Sequence, residues 1–202
     1  MEVCRMRNTP VIIFVNKLDR EGRDPFEILD ELESELKISV RPLSWPINIG
    51  AKFKGVYNIF EQSLDLFTPN KQRVSERVEI EDVNDSRIDE NIGEKDAAKL
   101  REDLELIEGV YPEFREGEYL KGQVAPVFFG SALNTFGVKE LLDCFVKIAP
   151  APRPIVAEER EIKPDEDNFS GFVFKIHANM DPNHRSCIAF VKVCSGKFER
   201  NA

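Results

Sequence analysis

Two short apolar runs set the tightest limit on what this chain can fold into. Val11, Ile12, Ile13, Phe14 and Val15 form the first, and Ala125, Pro126, Val127, Phe128 and Phe129 form the second. Unbroken runs of this length, rich in β-branched and aromatic residues, suit strands buried on both faces of a parallel sheet. Each run leads through a polar loop into a helix pattern. After the first, Asp24, Pro25 and Glu27 supply an N-cap, a proline at the first helical position and an early acidic residue, and Leu29, Leu32 and Leu36 return on one face. After the second, Val138, Leu141, Leu142, Phe145, Ile148 and Ala149 make an apolar stripe that stops at the proline-rich residues 149–154. Parallel neighbours require a crossover, so the expected class is α/β.

Residues 16–124 separate the two runs, far more than a compact α/β connection needs. Residues 42–60 read as extended segments punctuated by Pro46, Gly50 and Gly55, residues 73–81 as a short exposed strand, and residues 94–109 as a helix with Ala97, Leu100, Leu104 and Ile107 on one face. The expected organisation is a sheet-and-helix domain made of residues 1–42 and 125–152, with an α+β subdomain, residues 43–124, inserted in it. An acidic linker, residues 153–166, then leads into two β-rich runs within residues 167–202. Two strands do not make a stable β domain, so the chain is expected to end part-way through one.

Charge is uneven. Residues 72–118 hold 16 acidic and 7 basic residues, which accounts for the whole net charge of -9, whereas residues 168–202 hold 2 acidic and 5 basic. A contact with RNA would therefore fall in the last segment, and the inserted subdomain suits a protein contact or a solvated face. With 42% hydrophobic residues the chain can bury a core, which excludes disorder as its main state. Cys4, Cys144, Cys187 and Cys194 form no C-x-x-C pair, so neither a disulfide framework nor a zinc site is indicated, and a reducing, cytoplasmic setting fits. No apolar run is long enough to span a membrane, and no export signal is recognisable.

The loop after the first run reads Asn16, Lys17, Leu18, Asp19. Ligands of open α/β sheets sit beyond the carboxyl ends of the strands, where this loop falls. An ionised carboxylate accepts two hydrogen bonds side by side, so Asp19 suits the adjacent N1–H and N2–H2 donors of guanine, which adenine lacks. Asn16 can serve the loop backbone or a base carbonyl, and the Lys17 stem can lie over a flat ring. The second run ends at Gly130, Ser131 and Ala132, small residues that let backbone N–H groups approach a base carbonyl. Together the two loops describe a guanine pocket.

Its phosphate half has no counterpart. G-x-x-x-x-G-K-[ST] does not occur, and the lysines after Gly50-Ala51 and Ser195-Gly196 are each followed by phenylalanine outside a strand–loop–helix context. Asp19 to Gly22 spells D-x-x-G only by overlap with the base loop. His184 and Cys187 read as a turn histidine and a strand cysteine rather than a zinc pair, His177 as a residue near a strand end, and Trp45 as a packing anchor. No catalytic or metal-ligating residue is indicated.

The run from Asn16 to Pro25, Ser44-Trp45-Pro46-Ile47 through Phe53-Lys54-Gly55-Val56-Tyr57, Phe128-Phe129-Gly130-Ser131-Ala132, and Gly171 to Ile176 through Ala178-Asn179-Met180-Asp181-Pro182 with His184-Arg185 closely resemble the bacterial peptide chain release factor 3 family of translational GTPases. The resemblance implies that Asn16, Lys17 and Asp19 form the fourth GTPase motif and Ser131 and Ala132 the fifth. It implies the C-terminal part of a P-loop GTPase G domain with an inserted α+β subdomain, followed by the first strands of a translation-factor β-barrel. It further implies GTP or GDP as cofactor, with Mg2+ held in the parent protein, and the ribosome and class I release factors as partners, with no membrane or DNA. The parent would hydrolyse GTP while promoting recycling of stop-codon-reading release factors. This chain would be a middle fragment without P-loop, switches or third domain, inactive alone and prone to self-association at the exposed edge of residues 11–15. The alternatives are a ribosome-protection or elongation-type GTPase, or a non-catalytic interaction module. Two positions depart from the family pattern: Asn48 stands where glycine is expected and His177 where glutamine is.

Overall fold

The computed structural model describes residues 1–67, 76–178 and 187–200. It divides into two units, residues 1–149 and 150–202.

In the first unit a short helix α1 (Glu2–Met6) precedes β1 (Ile13–Val15), α2 (Pro25–Leu36) and β2 (Ser39–Pro42). The expected cap of α2 is in place: Asp24 accepts from the Phe26 N–H at 2.9 Å. Lys37 ends the helix in the left-handed conformation, and Arg5 of α1 donates to the Leu36 carbonyl at 2.7 Å, covering an otherwise orphan acceptor. β3 (Ser44–Ile47), a one-turn 3-10 helix at Gly50–Lys52, β4 (Gly55–Asn58), β5 (Ser63–Leu66) and β6 (Glu76–Glu79) follow. Then come α3 (Ser86–Ile92), α4 (Glu94–Val110), α5 (Glu116–Leu120), β7 (Val124–Phe129), a second one-turn 3-10 helix at Ala132–Asn134, and α6 (Val138–Ile148).

Two sheets result. The first has the order β1-β7-β2, all parallel, with Val15 opposite Phe129 and Ser39 opposite Val124. The second is an antiparallel meander, β3-β4-β5-β6. The chain passes directly from one to the other: the Leu43 N–H donates to the Val127 carbonyl, and the buried Ser44 hydroxyl accepts from the Phe129 N–H at 2.9 Å. One apolar core spans both sheets, with Val40, Val127 and Phe129 from the first, Trp45, Val56 and Leu64 from the second, and Ala97, Leu100, Leu104 and Ile107 of α4 as the spacing predicts. Trp45 is the packing anchor expected, 1% exposed, tilted against Phe26 and edge-on to Phe129, with its indole N–H donating to Asp103 at 3.0 Å.

Differences from the sequence reading have physical causes. α6 turns Glu140, Leu141, Cys144 and Ile148 inward, whereas Leu142 and Phe145 of the predicted stripe are 51% and 48% exposed; the apolar surface of this helix is wider than the face its sheet covers. β2 joins the parallel sheet although Ser39 and Arg41 interrupt its apolar pattern. Arg41 is nevertheless buried, its guanidinium donating to the Ile107 and Tyr111 carbonyls at 3.4 and 3.1 Å, so it closes the C-terminus of α4. Asn48 has φ 61°, in the left-handed region that suits the glycine expected there and that asparagine also tolerates. The first residues of the strand predicted at 73–81 lie outside the described residues; β6 covers the rest of its core, and Val78 packs partly into the interior.

In the second unit, β8 (Ile155–Val156) and β9 (Glu161–Ile162) form a small antiparallel pair within the stretch read as a linker, closed by Arg160 bonded to Glu166. β10 (Ser170–Ala178) and β11 (Cys187–Ser195) make a long antiparallel hairpin. Of the turn resemblance, residues 179–185 lie outside the described residues.

Candidate functional site

β1 and β7 end side by side, and their pairing carries into the loops. The Gly130 N–H donates to the Val15 carbonyl at 3.0 Å, and the Leu18 N–H to the Gly130 carbonyl at 3.1 Å. The loops of residues 16–19 and 130–137 therefore leave the same end of the sheet as neighbours.

Asn16 ties them together. Its Oδ1 accepts from the Lys17 N–H and from the Ala132 N–H, both at 2.8 Å. The first bond supports Lys17 at φ 72°, a conformation unfavourable for a residue with a side chain, and the turn closes with the Arg20 N–H on the Lys17 carbonyl. Leu18 is buried beneath the loop, and its carbonyl accepts from Gly50 at 2.9 Å, so the 3-10 turn at Gly50–Lys52 supports the loop from below. Asp19 is half-buried, and its carboxylate has no hydrogen-bond or ion-pair partner among the described residues.

Two glycines shape the second loop. A Cβ on Gly130 would lie 2.3 Å from the Phe136 carbonyl oxygen, and one on Gly137, at φ 74°, would lie 2.4 Å from that of Phe129. Ser131 is buried and exchanges backbone hydrogen bonds with Phe136, both 3.0 Å, while its hydroxyl accepts from the Asn134 side chain at 2.8 Å. All five residues singled out in the sequence thus meet at one end of the parallel sheet, with their work divided differently from expectation. The Ser131 and Ala132 amides, expected to face a base carbonyl, already have protein acceptors. Asn16 Oδ1 is committed to the loop backbone, which leaves its amide nitrogen and the Asp19 carboxylate as the outward polar groups.

The family model of the elongation factor Tu GTP binding domain matches residues 1–151, and that of elongation factor G domain 2 matches residues 168–202. The chain belongs to the translational GTPases. Guanine-nucleotide binding and a part in protein synthesis come with that membership. In this translational GTPase the first match takes in both loops and the second sheet between them, and the second takes in β10 and β11.

The outward groups fit a guanine edge. A free carboxylate next to a fixed turn can take two parallel donors, and the exposed Lys17 stands beside it. Among the described residues no three His, Cys, Asp or Glu side chains gather as a metal site. His177, in β10, lies edge-on to Phe190 at 5.8 Å, and His184 is outside the described residues. A separate cleft of about 270 Å³ is lined by Pro25, Trp45, Ile47, Lys52, Asp96 and Asp103 and by none of the five loop residues. Sequence reasoning missed the supports of the site, Leu18 with Gly50 and Asn134 with Gly137. The positive φ of Gly50 and Gly137 is the reason for glycine there, and the spacing of Gly130 and Gly137 was the available signal.

No helix among the described residues is long and apolar enough to cross a membrane.

Proposed function

We propose that this translational GTPase works in termination, promoting the departure of stop-codon-reading class I release factors from cytoplasmic ribosomes, and that Asn16, Lys17, Asp19, Ser131 and Ala132 form the guanine end of its nucleotide site, with Lys17 and Asp19 facing the base and Asn16, Ser131 and Ala132 holding the two loops. The observation that carries the base-reading half is the double acceptance by Asn16, which locks the two loops together and leaves Asp19 free beside them. Asp19 then takes the N1–H and N2–H2 donors of guanine and rejects adenine, which would leave the buried side of the carboxylate unpaired. The termination half is supported by the resemblance of the Trp45-Pro46-Ile47 and Phe53-Lys54-Gly55-Val56-Tyr57 segments to release factor 3.

The residues of this chain supply no Walker-type phosphate loop. Phosphate contacts carry most nucleotide affinity, so the chain itself binds GDP weakly and does not hydrolyse GTP. Calorimetry should give a dissociation constant for GDP no tighter than micromolar, and a nanomolar value would contradict this. An elongation-type reading rests on the second family match, to elongation factor G domain 2. The two part in one assay. With ribosomes stalled at a stop codon, the full reading frame that encodes this chain should speed release-factor departure with GTP and leave translocation unchanged; stimulated translocation would select the second reading.

A further inference from the structure

β5 carries two buried polar side chains with nothing to bond. Ser63 and Asp65 lie on the same face of the strand and are 0% and 1% exposed, and the Ser63 hydroxyl and both Asp65 carboxyl oxygens have no hydrogen-bond partner among the described residues. An ionised carboxylate so placed is strongly unfavourable, and the group holds its proton instead. Burial first and the Glu140 carboxylate second push the Asp65 carboxyl up to about 7. Glu140, in the first turn of α6, is 4% exposed and is itself raised by burial.

The neighbouring cations Arg77 and Lys139 offset the rise only in part. Arg77 stands opposite Asp65 on β6 and acts on both carboxyls, but it is bonded to Glu61 at 2.7 Å. Glu61 also pairs with Lys147 of α6, and Lys139, beside Glu140, pairs with Asp143 at 2.5 Å. On the other side β4 places Val56 opposite Asp65 and contributes no charge. Each of these three cations, Arg77, Lys139 and Lys147, is already held by another carboxylate.

The position gives the pair its consequence. β5 belongs to the inserted sheet, whereas α6 continues directly from the loop of residues 130–137 that presents Ser131 and Ala132. We propose that the seam between β5 and α6 is a proton-controlled joint. With a proton on Asp65 the inserted sheet holds α6 in place; loss of the proton sets two buried carboxylates against each other and loosens residues 130–137.

The folded-state value lies above the ordinary carboxyl value, so the stabilisation is complete below about pH 4 and is lost as pH rises through 7. Across the middle of that window the folding constant should fall about tenfold per pH unit, the linkage of one proton. Glu61, Asp85, Asp89 and Asp96 are shifted the opposite way, by their hydrogen bonds to cations, and lose their contribution only under more acid conditions.

The test is urea unfolding of the whole chain from pH 5 to 8, with amide exchange of residues 131–137 at the same pH values, for wild type, Asp65→Asn and Glu140→Gln. The wild-type midpoint should fall with rising pH, Asp65→Asn should flatten the profile, and Glu140→Gln should flatten it in part. Loop protection should decline with pH in the wild type and hold in Asp65→Asn. Parallel profiles for wild type and Asp65→Asn would overturn the proposal. So would wild-type stability at pH 8 restored by Mg2+ or K+, which would assign the buried oxygens to a cation. Should Asp65→Asn fail to fold, carboxyl-carbon NMR of the wild type decides: a titration midpoint near 7 for Asp65 supports the joint, and an ordinary carboxylate midpoint removes it.

Discussion

Asn16 and Asp19 stand three positions apart in one loop yet carry opposite duties. Asn16 is structural: removing its side chain deprives the Lys17 and Ala132 amides of their acceptor. Asn16→Ala should therefore cost about 1–2 kcal/mol of stability, seen as a lower urea midpoint and faster exchange at the Ala132 amide. Asp19 holds nothing in the protein, so Asp19→Ala should leave stability within about 0.5 kcal/mol while removing the preference for guanine over adenine nucleotides. A large destabilisation by Asp19→Ala would show that the carboxylate has a structural partner. That these residues belong to one site was legible from two loops that each follow a buried strand. Which of them faces outward was not, because Asn16 offers a donor and an acceptor, and only the closure of residue 132 onto residue 16 decides between them.

Among the elements, the sequence revealed those whose burial is regular. α4 declares itself by Ala97, Leu100, Leu104 and Ile107, and all four are buried. β2 hid because its ladder partner is β7, far along the chain, and because a charged residue occupies its interior. Arg41 is there to close α4. Burial lowers its pKa from the usual arginine range, and Glu108 and Glu113 oppose that shift. Arg41→Ala should leave the Tyr111 carbonyl without its donor and open a cavity between β2 and α4. The expected loss is about 2–4 kcal/mol, measured by denaturant unfolding, with amide exchange rising first at the C-terminal turn of α4. A loss under about 0.5 kcal/mol would show that water replaces the guanidinium without penalty. The exposed side of α6 marks the converse limit, since apolar periodicity reports how much of a helix can be buried and not how much is.

At the scale of the molecule, each unit leaves apolar surface uncovered. In the first, β1 pairs with β7 alone among the described residues, and Ile13, Phe14 and Val15 are only half-buried, a strand edge open to another strand. In the second, Phe172, Phe174 and Ile176 of β10 and Ile188, Val191 and Val193 of β11 are all exposed, more than a lone hairpin keeps in water without association. The chain should therefore self-associate as concentration rises, and light scattering that reports a monomer throughout would contradict this. The acidic surplus of the sequence lies in residues 72–118, outside the proposed base-reading loops of residues 16–19 and 130–137. The most direct test of those loops is a titration of the isotopically labelled chain, followed by amide NMR, with GDP and with ADP. GDP should shift the amides of Lys17, Asp19 and Ala132 saturably at millimolar concentration, ADP should not, and Asp19→Ala should abolish the difference. Equal shifts with both nucleotides, or none with GDP, would contradict the assignment of this end of the sheet to guanine.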